Sequence, residues 1–269
     1  MSRTLRVALV AGEASGEPLN GKTLTFASQG QLLLDQSAQV AEWTGIKLSA
    51  NQLRALGELK LRDLDKTAQL EGNLSLAQFN LREFLDGVGV ELPPMQASDA
   101  LNQFELVSRL NGSSKGMMFE ELNLKLDGST FTGKLGVSDF AKQALRADLK
   151  GDKLDLDRYL PPPSKDEPAG AARKSEVKNT QAAAVGSGST PLPNAPTQQA
   201  WSEASVLPLD QLRKLDSEVS LAIGSLTAMQ LPLEGFNLKA RARNGQLNLQ
   251  ELRGGLYGGR LDSSASLDV

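Results

Sequence analysis

The 269-residue chain contains no cysteine and no histidine. Without cysteine it forms no disulfide, binds no metal through thiolates and offers no thiol nucleophile. Without histidine it lacks the commonest general base and zinc ligand, and with it every histidine-containing triad. Carboxylate or Ser–Lys chemistry survives both absences, so they argue against catalysis rather than forbid it. The reading is of a non-enzyme with no cofactor and no metal site. Aromatic residues make up only 4% of the chain, so stacking on bases or sugars is not a theme. Net charge is −3 and the Lys and Arg residues are scattered, which removes the footprint of a nucleic-acid binder. No window approaches the roughly 20 apolar residues of a membrane-spanning helix. The N-terminal run Val7-Ala8-Leu9-Val10-Ala11 is followed at once by Gly12-Glu13. It is shorter than the roughly 7–15 residues of a signal-peptide core, so neither anchor nor export signal is visible in this chain.

What is present is leucine in alternation. Leu122-Asn123-Leu124-Lys125-Leu126-Asp127, Leu59-Lys60-Leu61 and Gln246-Leu247-Asn248-Leu249-Gln250 place apolar residues at every second position. That period predicts antiparallel strands with one apolar and one wet face. Asp127-Gly128-Ser129, Asn111-Gly112-Ser113 and Asn244-Gly245-Gln246 supply turn signals between the runs. Residues Glu121–Phe140 and Phe236–Leu252 each read as a hairpin. Helical signals are short: Ala38–Thr44, Asn51–Leu56, Leu81–Leu85, the ambiguous Asp139–Gln143, and Pro208–Leu215. Between Pro161 and Ala200 the only larger aliphatics are Val177, Val185 and Leu192. Such a stretch cannot offset its ordering entropy, so residues 161–205 are expected to be a disordered low-complexity linker. Strand patterns resume at about residue 206. The domain plan is thus a leader over 1–20, a β-sheet region over 21–160, the linker, and C-terminal strands over 206–269. The tail alone is short for an independent domain, which favours its completing the same sheet. Phe79–Leu85 and Leu154–Leu160 echo one another, each a strand end turning into a short helical stop.

Three of these stretches, in order, resemble the AsmA family of bacterial envelope proteins. Leu122–Gly133 is similar to that family's strand pair around a D-S-x-F-x-G turn. Leu154-Asp155-Leu156-Asp157-Arg158-Tyr159-Leu160-Pro161 resembles its L-D-L-D-x-Y-L-P stop before a variable insertion, and Leu252–Leu261 its L-Y-G-G strand turn. The resemblance implies a mainly β fold, a curved antiparallel sheet forming a groove, with few short helices. It also implies proteins anchored in the inner membrane by an N-terminal helix and extending into the periplasm. These are linked to outer-membrane assembly and lipid homeostasis, with relatives whose apolar grooves carry phospholipid acyl chains. Because the anchor and much of the expected N-terminal region are not seen, the chain reads as a fragment or truncated product. Residues 1–16 separately resemble the first strand and loop of lipid-A-disaccharide synthase, with Glu17 where that family has Asp. No Rossmann-like alternation follows, so no catalytic role is carried over, and the stretch reads as a foreign or fused leader.

Each candidate site has a plainer reading beside it. Gly12-Glu13-Ala14-Ser15-Gly16 lacks the Gly-Lys-Ser/Thr ending of a phosphate loop and reads as a turn. Asp152, Asp155 and Asp157 lack the spacing of an EF-hand; alternation puts Asp155 and Asp157 on one strand face, solvated. Gly255, Leu256, Tyr257, Gly258 and Gly259 make the family-motif turn, read with Gly254 as a bulge with Tyr257 covering the sheet edge. Leu122, Leu124, Leu126, Leu247 and Leu249 are the candidates to face lipid. Without the resemblance they read as covered core; with it, covered and open are balanced. The expected partners are a phospholipid or other envelope lipid, and envelope proteins. The alternative function is an interaction module pairing through sheet edges.

Overall fold

The structure, a computed structural model, describes residues 2–162 and 216–268. The alternating pattern becomes one thirteen-stranded sheet. Its strands are β1 (Ser2–Ser15), β2 (Thr23–Asp35), β3 (Val40–Ala50), β4 (Leu53–Arg62) and β5 (Gln69–Phe79). After the one α-helix among the described residues, α1 (Leu81–Gly87), come β6 (Phe104–Ser113), β7 (Gly116–Leu126), β8 (Ser129–Val137) and β9 (Leu145–Asp155). The C-terminal four are β10 (Ser217–Ala228), β11 (Leu231–Arg243), β12 (Gln246–Leu256) and β13 (Gly259–Asp268). Every strand lies beside its sequence neighbours, and the sheet stays open with β1 and β13 as edges. Residues 2–15, the synthase-like stretch, are an ordinary edge strand paired with β2 from Ser2↔Asp35 to Ser15↔Thr23.

All neighbours are antiparallel except β9 and β10, which are parallel with Leu149 opposite Leu221. The chain therefore leaves β9 at one rim of the sheet and re-enters β10 at the other. Residues 163–215 lie outside the described residues. With them fall the expected linker, apart from Pro161 and Pro162, and the expected helix at Pro208–Leu215.

Of the other expected helices, Leu81–Leu85 is present as α1, with the Asn80 side chain accepting a hydrogen bond from Glu83 N at 3.1 Å as N-cap. Ala38–Thr44 and Asn51–Leu56 are instead strand and turn. Val40, Trp43 and Thr44 are β-branched or aromatic, and Trp43 lies opposite Leu59 across the β3–β4 ladder. Asn51 takes φ 46° in the turn that joins those strands. Asp139–Gln143 is a turn, closed by Ala144 N donating to Asp139 O at 2.9 Å. Among the turn signals, Asp127-Gly128 and Asn244-Gly245 hold, each with two successive positive φ angles. Asn111-Gly112 does not turn: both residues pair with Met118 and Met117, and the chain reverses at Ser114-Lys115. The hydrophobic match of Leu110 to Phe119 settles that register. Tyr257-Gly258 is a tight two-residue turn rather than a bulge, and Tyr257 is 77% exposed instead of covering an edge.

The sheet has two chemically distinct faces. On one, opposite charges face each other across strands: Lys125 with Glu105 at 3.1 Å, Lys239 with Glu251 at 3.0 Å, and Lys60 with Glu42. These exposed pairs add little stability individually, but they mark this face as the wet one and disfavour slipped registers. Most apolar side chains take the other face, while Leu33, Leu56 and Val107 share the charged one.

Candidate functional site

Following partners across the ladders shows how far the apolar face runs. One row passes through Leu48, Ala55, Leu76, Leu106, Leu124, Phe131, Gly151, Ile223 and Phe236, from β3 to β11. A second passes from Leu32 and Trp43 through Leu59, Gly72, Leu110, Phe119, Leu135, Ala147, Val219 and Ala240 to Leu249. Apart from the indole N–H of Trp43, neither row contains a polar side-chain group. Strands 4.7–4.9 Å apart carry such a row roughly 50 Å along the sheet.

Bulges keep this face continuous where the sequence falls out of step. Phe119 and Leu122 are three residues apart, yet both face inward because Glu120 and Glu121 form an irregularity, with Glu121 at φ 50°. Ser108, opposite that bulge and 2% exposed, spends its hydroxyl on Glu120 O at 2.9 Å. Two glycines on the apolar face are roofed by rings from the next strand. A methyl group at Gly12 would meet the Phe26 ring at 3.1 Å, and one at Gly151 the Phe131 ring at 2.8 Å. At Gly133 (φ 139°) it would run into the Asp148 carbonyl oxygen, so the close approach of β8 and β9 requires glycine there.

The five candidate leucines share this face. Leu122 is buried, at 3% exposure. Leu124, Leu126, Leu247 and Leu249 are half-buried. No large side chain among the described residues is fully buried. A second layer packed on the face would bury them, and among the described residues there is none. Two polar atoms on this face, Ser28 Oγ and Trp43 Nε1, are buried without a hydrogen-bond partner.

One rim is closed by a clasp. The 80–103 connection carrying α1 lies against the short 3-10 segment Leu156–Tyr159. Asp127, in its tight turn, accepts hydrogen bonds from Leu101 N at 2.6 Å, Gln103 N at 3.1 Å and the Tyr159 hydroxyl at 2.9 Å. Burial, then that bond, pushes the Tyr159 hydroxyl far above its ordinary pKa. Arg158 pairs with Asp99 at 2.9 Å, and this hydrogen bond holds the Asp99 carboxyl below the usual range. Asp157 accepts from Met229 N at 2.6 Å and Gln230 N at 2.7 Å. The L-D-L-D-x-Y-L-P stretch is therefore a structural lock. Asp157 lies in the 3-10 segment rather than on a strand face, and its two oxygens hold a turn. Asp152 accepts from Thr130 N at 2.8 Å, and among the described residues no group of carboxylates converges on a metal position. The functions of Asp127 and Asp157 escaped the sequence reading. An Asp-Gly turn signals its own geometry but not the distant backbone its carboxylate serves.

Depressions on the wet face are shallow and lined by charged groups such as Glu58, Arg109 and Glu121. Arg109 and Glu121 already pair with each other at 2.8 Å. No helix among the described residues is long and apolar enough to cross a membrane.

No curated protein and no solved structure matches the chain. A family model described as the AsmA family matches residues 2–269, which takes in the leader-like stretch as well as the three motifs.

Proposed function

The chain belongs to the AsmA family, and from that premise we propose that its apolar sheet face holds lipid acyl chains, without catalysis, in the periplasmic space of a bacterial envelope. Family membership is consistent with a role in outer-membrane and envelope assembly. The observation that carries the lipid reading is the unbroken apolar row from β2 to β12, with no covering layer among the described residues. Each methylene laid against those leucines leaves water and stabilises the complex by about 0.8 kcal/mol. A row roughly 50 Å long exceeds the length of a single acyl chain, so the face suits several chains or one that slides. Leu124, Leu126, Leu247 and Leu249, half-buried and not needed to fill a core, are the side chains assigned to contact lipid.

The test is native mass spectrometry of detergent-free protein, with lipid extracted from the same sample. Wild type carries phospholipid. Changing Leu124 and Leu249 to Asp removes most of it while the far-UV circular dichroism stays that of a sheet. A folded, lipid-free wild type would reject the reading and leave pairing through the open edges β1 and β13 as the better account.

A further inference from the structure

The most exposed large apolar side chains of the described residues are Met229 (82%) and Tyr257 (77%). Each sits at the tip of a two-residue turn, β10–β11 and β12–β13. Both tips are on the rim that carries the clasp, two strand spacings or about 10 Å apart. Just behind them, Leu231 (40%) and Leu261 (38%) belong to the apolar face itself. The tips are therefore the outermost part of that face.

Their backbone makes the exposure unusual. Met229 (φ 52°), Gln230 (φ 61°) and Tyr257 (φ 48°) lie in the left-handed region, which favours Asn, Asp and Gly. The chain uses those favoured residues at the same kind of turn in Asp127-Gly128 and Asn244-Gly245. At Met229 it uses methionine instead and steadies the strained turn with both oxygens of Asp157.

We infer that these two hairpin tips dock the sheet on a lipid bilayer surface, with Met229 and Tyr257 entering the interface. A stable protein interface needs about 800 Å² from each partner, more than two side chains at hairpin tips offer. A bilayer interface accepts single side chains, and tyrosine, apolar in its ring and polar at its end, is enriched there. The inference rests on the acyl-chain reading in one respect: docked tips give lipid a dry route from bilayer to face.

Flotation of the full chain with phosphatidylcholine vesicles tests it, comparing wild type with the double variant Met229→Asn, Tyr257→Asn. Asparagine suits both backbone positions, so the variant is expected to unfold at the same denaturant concentration as wild type or a higher one. Wild type floats, and the variant's partitioning falls about tenfold or more. Equal flotation of the two, or a wild type that stays at the bottom, overturns the docking. So does a wild-type dimer that the variant loses without any flotation, which would make a second copy the occupant. Native mass spectra of both proteins separate this inference from the acyl-chain reading. Flotation that depends on the tips in a chain without co-purifying lipid upholds the docking and rejects that reading.

Discussion

Among the described residues, aspartates at the ends of strands fasten the turns and connections of the sheet. Asp127 gathers two backbone N–H groups and a tyrosine hydroxyl, and Asp157 takes two N–H groups of the Met229 turn. Asp216 pairs with Arg146 at 2.7 Å, where the chain re-enters the sheet. Hydrogen bonding to Arg146 holds the Asp216 carboxyl below its ordinary value near 3.8. Backbone N–H donors do the same for Asp152, and Arg158 for Asp99. A carboxyl whose pKa is lowered by folding adds stability above its unfolded value, and that contribution is lost as pH falls through the folded value. The urea midpoint should therefore stay level from neutral pH to about pH 5 and drop below about pH 4. Asp216→Asn should lower the midpoint at pH 7 and flatten the acid decline. Two curves of the same shape, merely offset, would show that Asp216 takes no part in the acid sensitivity.

At the scale of strands and turns, alternation was legible in the sequence wherever it was strict. Leu122-Asn123-Leu124-Lys125-Leu126 and Gln246–Gln250 are strands, placed on one face of one sheet. It failed at bulges and short polar turns. Around Phe119-Glu120-Glu121-Leu122 the period is broken locally so that the face stays whole, and only the neighbouring strand reveals why. Ala38–Thr44 mimics a helix because its apolar residues include a pair three apart, and the partner strand β4 overrides that weak preference. Whether the candidate leucines were covered was beyond any pattern in the sequence, since a covered and an uncovered apolar face alternate identically. Removing one bulge residue makes the point measurable. Deleting Glu121 shifts Gly116–Glu120 by one position against β6 and β8, sending Met117 and Phe119 to the wet face. The expected result is a loss of about 4 kcal/mol or outright insolubility. Wild-type solubility and an unchanged denaturation midpoint would mean the bulge only ornaments the strand.

Across the sheet of the described residues, each strand is hydrogen-bonded to the strands before and after it, as neighbouring repeats of a solenoid are. Stability is then distributed along the sheet instead of concentrated in one core. Excising the last hairpin, residues 246–268, should leave β1–β11 folded, with hydrogen exchange faster in β11 as the new edge and unchanged in β5–β8. Exchange accelerated throughout would show a single cooperative unit. The parallel seam between β9 and β10 has a consequence for synthesis. Most strands find their partner within a few residues of leaving the ribosome, so the sheet can lengthen at the pace of translation. At the seam that rhythm stops. β10 has no fresh neighbour, and the Arg146–Asp216 pair that marks its place joins residues 70 apart in sequence. Nine strands therefore stand complete before the tenth has emerged. Joining β10 to β9 across that separation in sequence is expected to be the slow entropic step of assembly.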